Sequence, residues 1–277
     1  MTEGVTEPPV QPFIATKEYR RFVEFCEACR RDRYIGLCYG PPGVGKTLSA
    51  RHYARWDQIE ATFPWCREGP PVPPELALCR VGFCTAPVTG TPRNLSHMLN
   101  GACRWLERAV DTALEAQASE TEPEDLALWQ RRSWLELLIV DEADRLKMSG
   151  LEEVRDYYDH RQMGLVLIGM PGIEKRLARY PQLYSRVGFV HHFRPLSEAE
   201  VRHLLVQQWA QLGLPAEVTE FTDVEALAAI IRITNGNFRL LNRLFAQIDR
   251  VLQINALATV TKEVVETARE NLVIGVL

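Results

Sequence analysis

The sequence has no run approaching the roughly 20 uninterrupted apolar residues that a membrane helix requires, so no membrane partner is expected. Its first twelve residues hold two acids, three prolines and no base, which is neither the charged start nor the apolar stretch of a secretory signal. It has little surplus charge of either sign. The formal net charge is −4, so no global positive field advertises nucleic acid, and any such contact has to come from a local patch. Residues 17–195 are close to charge balance and residues 196–277 are acidic, which makes the first segment the better host for a polyanion. The seven cysteines are odd in number and scattered, a usage that points to free thiols in a reducing, cytoplasmic compartment. Internal repeats are lacking too. What remains is ordinary: 46% apolar and 25% charged residues, which exclude a disordered or fibrous chain. The length of 277 residues fits one α/β core with an appendage.

Residues 1–15 read as a flexible arm, because Pro8, Pro9 and Pro12 leave few backbone donors for regular structure. A helix is expected over residues 16–33, with Thr16 as N-cap and an apolar stripe of Phe22, Val23, Phe25, Cys26 and Cys29. Short apolar runs at 34–39, 78–84, 135–140, 165–169 and 187–193 read as strands, and helical patterns separate most of them. Such alternation predicts a parallel sheet covered on both faces. The four prolines within residues 68–74 mark a surface loop, and the acidic stretch 118–125 a solvated turn. After Pro195 only helical patterns follow. Capping-box pairs stand at Ser197/Glu200 and Thr222/Glu225, and Asn235-Gly236-Asn237 punctuates before a helix carrying Phe238, Leu241, Leu244 and Phe245. The predicted division is therefore an arm (1–15), an α/β nucleotide-binding domain (16–195) and a helical lid domain (196–277).

Gly40-Pro41-Pro42-Gly43-Val44-Gly45-Lys46-Thr47 matches the phosphate-loop pattern G-x-x-x-x-G-K-[ST], between an expected strand and a helix that carries Leu48, Tyr53 and Trp56. Glycines let backbone N–H groups turn inward around phosphate oxygens, and the helix N-terminus adds its positive dipole end. Lys46 suits the β- and γ-phosphates of ATP, and the Thr47 hydroxyl suits Mg²⁺. Leu48 completes the expected nucleotide-binding run. Asp141 and Glu142 end another expected strand, on the sheet edge where ligands of open α/β folds sit. Asp141 is the candidate second holder of Mg²⁺, and Glu142 the candidate group that orients the attacking water.

The order of phosphate loop, Asp141-Glu142, Ser185-Arg186 and Gly236-Asn237-Phe238-Arg239 before a helical tail resembles the AAA+ ATPases. The resemblance implies a P-loop parallel-sheet core with a helical lid, ATP hydrolysis and homo-oligomers that hold nucleotide between subunits. It casts Arg186 as a finger reaching the neighbour's γ-phosphate and Arg239 as a sensor of its own. At the end of the 165–169 strand, where such proteins carry a polar residue, Met170 cannot donate a hydrogen bond, which implies slow hydrolysis or another group in that role. Asp141-Glu142-Ala143-Asp144 also spells the signature of DEAD-box helicases, but those need two motor cores and this chain has one phosphate loop.

The runs 138–147, 167–172 and 236–242 are similar to the transposition-regulator ATPases of the TnsC, TniB and phage Mu B type. That likeness implies ring or filament assembly on double-stranded DNA, marking of a target, and recruitment and activation of a transposase. In CRISPR-associated transposons, a member of this group links an RNA-guided target-selection complex to the transposase. The candidate DNA contacts are Thr89, Thr91 and Arg93 after the second strand, and Lys147 after the acidic pair; the alternative is a plain solvated loop. The alternative function is an ATPase that does not touch DNA, a secretion-system or signalling switch, consistent with the net negative charge. Cys26 and Cys29 have metal-ligand spacing but sit in an apolar stripe, so buried thiols are expected. His191 and His192 point to opposite faces of an extended chain. Trp129 and Trp134 flank Arg131-Arg132, which reads as packing or a docking surface, and the apolar tail after Asn271 as packing or docking.

Overall fold

A computed structural model describes residues 13–62, 72–118, 134–211 and 224–272. The bulk of the arm, most of the proline-rich loop and of the acidic turn, Trp129 with Arg131-Arg132, Thr222 and the end of the tail lie outside the described residues.

Helix α1 (Lys17–Asp32) starts where expected, because the Thr16 Oγ1 accepts a 3.1 Å hydrogen bond from the Tyr19 N–H. It ends at Arg33, whose φ of 55° cannot continue a helix, with Arg30 and Arg31 placed favourably at the negative dipole end. Phe22, Phe25, Cys26 and Cys29 form its buried stripe. Strands β1 (Ile35–Tyr39), β2 (Val81–Thr85), β3 (Leu137–Asp141), β4 (Gly164–Gly169) and β5 (Val187–His192) form one parallel sheet in the order β2-β3-β4-β1-β5. The inner strands β3 and β4 are buried along their whole length, which is why their sequences are continuous apolar runs. Edge strand β5 alternates instead, and Val190 is exposed.

The second strand begins later than residue 78. Pro74–Leu78 makes a 3₁₀ turn with Pro74 at its start, burying Leu76 and Ala77 while Leu78 faces out. An apolar run preceded by prolines was thus partly a turn.

Helices α2 (Lys46–Tyr53), α3 (Trp56–Ala61), α4 (Pro92–Ala118), α5 (Met148–Asp159), α6 (Ile173–Leu177) and α7 (Pro181–Tyr184) connect the strands. Together they share one apolar core running from Phe22 to Phe193. A second core, from Leu196 to Ala268, is built by α8 (Glu198–Gln211), α9 (Val224–Thr234), α10 (Phe238–Asn255) and α11 (Lys262–Glu270), with no strand among the described residues. The Ser197/Glu200 capping box is formed: Glu200 Oε2 accepts from the Ser197 N–H and hydroxyl at 2.9 and 2.8 Å. Glu200 Oε1 also accepts from the Lys17 N–H at 3.1 Å, so the helix that opens the second core is bonded to the start of α1. No helix among the described residues is long and apolar enough to cross a membrane.

Candidate functional site

At the C-terminal edge of the sheet lies a cavity of about 480 Å³. Its walls are the β1–α2 loop, the ends of β3 and β4, and the first turns of α10. Gly43 and Gly45 hold φ of 79° and 104°, a region in which side chains are strained. At Gly43 there is a second reason for glycine: a Cβ would stand 2.4 Å from Asn237 Oδ1. Lys46 is buried, and its Nζ donates to the Gly40 and Pro41 carbonyls at 2.6 and 2.8 Å. Burial pulls its ammonium below the ordinary lysine value, against the nearby acids Asp141, Glu142 and Asp144. Gly40 and Pro41 therefore stand behind the loop as acceptors, and Val44 is buried in the core. Pro42, Gly43, Gly45, Thr47 and the exposed Leu48 line the cavity.

The two acids diverge. Asp141 is buried; its Oδ2 accepts from Thr47 Oγ1 at 2.6 Å and its Oδ1 from the Glu142 N–H at 2.8 Å. Glu142 has left-handed backbone (φ 55°), uncommon for a non-glycine residue, and its carboxylate stays partly exposed, 3.7 Å from Arg145 Nη2. Asp144 closes the same wall: its Oδ1 accepts from the Met170 N–H at 3.1 Å, and its carbonyl from Arg176 Nη1 at 2.6 Å. The hydroxyl and carboxylate of Thr47 and Asp141 are hard oxygen donors that suit Mg²⁺, an ion that takes its other ligands from phosphate and water rather than from an all-protein cage. The turned glycines and the buried ammonium suit a triphosphate.

From the second core, Asn237 caps α10 by accepting from the Leu240 N–H at 3.1 Å, and its Nδ2 donates to the Pro42 carbonyl at 2.9 Å. The Arg239 N–H donates to the Gly43 carbonyl at 2.9 Å. These bonds bring Arg239 to the cavity, and with it Phe238, Asn242 and Arg243. Asn242, Arg243 and Arg51 were not singled out from the sequence. The first two lie one helical turn beyond Arg239, a spacing that could have found them. Arg186 is elsewhere. Its Nε and Nη2 hold Asp159 at 2.6 and 2.8 Å, and it does not line this chain's own cavity.

Thr89, Thr91, Arg93 and Lys147 are all exposed and away from the cavity lining. Thr91 Oγ1 accepts from the Asn94 N–H at 3.3 Å and so caps α4. Arg145 Nη1 donates to the Ala86 carbonyl at 3.2 Å, joining the loop after β2 to the turn that carries Lys147. Cys26 and Cys29 are buried, and burial raises both thiols, Cys29 to about 12. His191 faces Phe22 and Phe25 while His192 is exposed. The Trp134 indole donates to Asp111 at 2.8 Å under the Arg80 guanidinium.

A family model described as an AAA domain matches residues 29–177. The chain is 45% identical over 271 residues to a Staphylococcus aureus protein named potential ATP-binding protein, covering 96% of this chain and 98% of that one. It is 34% identical over 243 residues to the Mu-like prophage FluMu DNA transposition protein B of Haemophilus influenzae, covering 84% of this chain and 71% of that one. Among solved structures, the Thermotoga maritima RuvB Holliday junction branch migration motor shares the fold, with a TM-score of 0.55 at 16% identity over 92% of this chain and 68% of that one.

Proposed function

We propose a function from the premise that this chain belongs to the AAA domain ATPases and, among them, to the Mu B-like transposition proteins. The protein is an ATP-dependent, DNA-binding regulator of transposition. It assembles on duplex DNA as a ring or filament, marks the target, and recruits and activates a transposase, in some settings under a separate target-selection complex. Three parts carry this out: the arm (1–15), the nucleotide-binding domain (16–195) and the helical lid (196–277). The observation that carries the reading is the meeting of loop, acids and lid in one cavity, with Thr47 and Asp141 2.6 Å apart and Arg239 in the same lining.

The chemistry follows from those groups. Lys46 exchanges the Gly40 and Pro41 carbonyls for the β- and γ-phosphates, where its charge is better matched. Thr47 and Asp141 would hold Mg²⁺, which would offset the charge of the phosphate oxygens. Glu142 accepts a hydrogen bond from water and orients it. Arg239 binds the γ-phosphate of its own subunit. Arg186 leaves Asp159 to reach the nucleotide of the adjoining subunit, which accounts for its distance from its own cavity. Thr89, Thr91, Arg93 and Lys147 face the DNA backbone, and repetition around the assembly makes weak single contacts sufficient in a chain of net negative charge.

The test is retention on non-specific duplex DNA across a salt series, with and without ATP and Mg²⁺, followed by electron microscopy of the bound fraction. Retention and multi-subunit particles that require ATP support the proposal. Particles without DNA retention at low salt favour the DNA-independent switch, and monomers under every condition sink the assembly.

A further inference from the structure

The wall formed by α10 contains a polar atom with nothing to bond. Asn242 Oδ1 is shut off from solvent and has no hydrogen-bond partner, a state that costs free energy in a folded protein. Asn242 lines the same cavity as Glu142, Asp144, Gly169 and Met170. Three residues after Arg239 on α10, it shares that arginine's helix face. Among the described lining residues the uncharged polar side chains are Thr47 and Asn242, and the Thr47 hydroxyl is already given to Asp141. Met170, at the end of β4, offers a thioether, and its backbone N–H is taken by Asp144. The cavity thus has acids and cations in number and one uncommitted neutral group able both to donate and to accept.

We propose that Asn242 is a catalytic residue of the ATPase reaction, holding the attacking water against the γ-phosphate from the lid side. This rests on the ATPase reading above. Because Oδ1 is shut off from solvent, the role requires the Asn242 carboxamide to turn toward the cavity as the lid closes on ATP; Oδ1 then accepts one hydrogen of the water while Glu142 accepts the other, and Nδ2 donates to a γ-phosphate oxygen. The water oxygen forms a bond to the γ-phosphorus as the bond from that phosphorus to the β–γ bridging oxygen breaks. The bonding electrons leave with ADP, and the water proton passes through Glu142 to solvent. Asn242 itself gains and loses nothing. A carboxamide serves because it pairs with water and phosphate at once without adding a charge to a cavity already lined by acids and cations. Its position on the lid also means that the water is held only once the lid has closed on the nucleotide.

The experiment compares wild type with Asn242→Ala in the full chain, on duplex DNA, by three readouts. The affinity for a non-hydrolysable ATP analogue should stay within about threefold, which also establishes that the variant folds. Turnover per bound subunit should fall about 100-fold, the usual size of losing one oriented hydrogen-bond partner in a transition state. The preference for ADP with aluminium fluoride over ADP, a binding measurement, should shrink in parallel. A second substitution, Met170→Asn in the Asn242→Ala background, should recover part of both losses by presenting a carboxamide from the β4 side. Unchanged turnover and unchanged analogue preference in Asn242→Ala overturn the proposal. So does a variant that loses only its choice of ATP over GTP, because Asn242 would then read the base. A wild-type chain that binds ATP without turning it over overturns this inference and leaves nucleotide binding standing, whereas one that binds no ATP removes the reading beneath it.

Discussion

Replacing Asn237 should separate two jobs done by one side chain. Its Oδ1 caps α10 and its Nδ2 holds the Pro42 carbonyl. Losing an N-cap costs about 1 kcal/mol, and losing a solvent-accessible hydrogen bond about another 1 kcal/mol. Asn237→Ala should therefore destabilise the nucleotide-free protein by about 2 kcal/mol. Asn237→Asp keeps an acceptor for the Leu240 N–H and loses only the bond to Pro42, so about 1 kcal/mol is expected. The Pro42 bond also orders the phosphate loop before the triphosphate arrives. If that ordering has to be supplied on binding instead, 1 kcal/mol weakens nucleotide affinity about fivefold. Urea melts give the stabilities, and titration of a fluorescent ATP analogue gives the affinities. Asn237→Asp should melt between wild type and Asn237→Ala, while both variants lose affinity, the aspartate by more because its carboxylate also repels the triphosphate. An aspartate variant equal to wild type in affinity would refute the idea that the lid tunes the loop through this bond.

Lys46→Met should abolish analogue binding while the melt of the nucleotide-free protein changes little, since the buried ammonium is replaced by an apolar chain of similar length; retained binding would contradict the assigned role. Glu142→Gln should bind ATP normally, stall hydrolysis and lengthen the life of DNA-bound particles, read by particle counts over time. Arg186→Ala should bind ATP as a lone subunit yet fail to hydrolyse it in assemblies, and mixing it with Glu142→Gln should restore some turnover at junctions where one subunit offers the arginine and the next the glutamate. The last prediction concerns pH. Burial, with Arg21, His192 and Arg194 nearby, lowers His191 to about 4, outweighing the Glu18 carboxylate 3.4 Å from its Nε2. The unfolded chain binds that proton first as pH falls, so stability is whole above about 6.5, declines between there and about 4, and levels off below, by at most roughly 3 kcal/mol for this residue. Melts over that range should show a shallower decline in His191→Phe; an identical decline would remove His191 as the cause.

Much of the site was legible because its chemistry is local. Gly40 to Thr47 are contiguous, Asp141 and Glu142 end an apolar run, and Thr16 and Ser197 announce helices through caps that involve neighbours three residues away. Strand β2 was less clear, since an apolar stretch does not reveal that prolines ahead of it have already turned the chain at Pro74–Leu78. The order of strands was also not readable, because alternation of strand and helix is the same in several parallel arrangements. Asn242 and Arg243 were missed for a related reason. Their place depends on how α10 is aimed, which is set by bonds between Asn237 and Pro42 and between Arg239 and Gly43, residues nearly two hundred positions apart. Arg186 carries the opposite lesson: its candidacy rested on likeness, and in a single subunit it is occupied with Asp159.

Gly236 draws these threads to one spot. Its carbonyl accepts from the Leu196 N–H at 2.9 Å, and a Cβ there would stand 2.1 Å from the Leu196 carbonyl. The next residue is bonded to Pro42, so the turn at Gly236 ties Leu196, where the chain passes from one core to the other, to the phosphate loop and would serve as their pivot. The 18 residues of α10 extend from that pivot for about 27 Å. A swing of about 10° at the fulcrum would carry the far end about 5 Å, roughly one turn of a helix. In the ATPase proposed above, loss of a single phosphate, a change of ångströms at the short arm, would thereby be geared up to a displacement large enough to make or break a contact between neighbouring subunits.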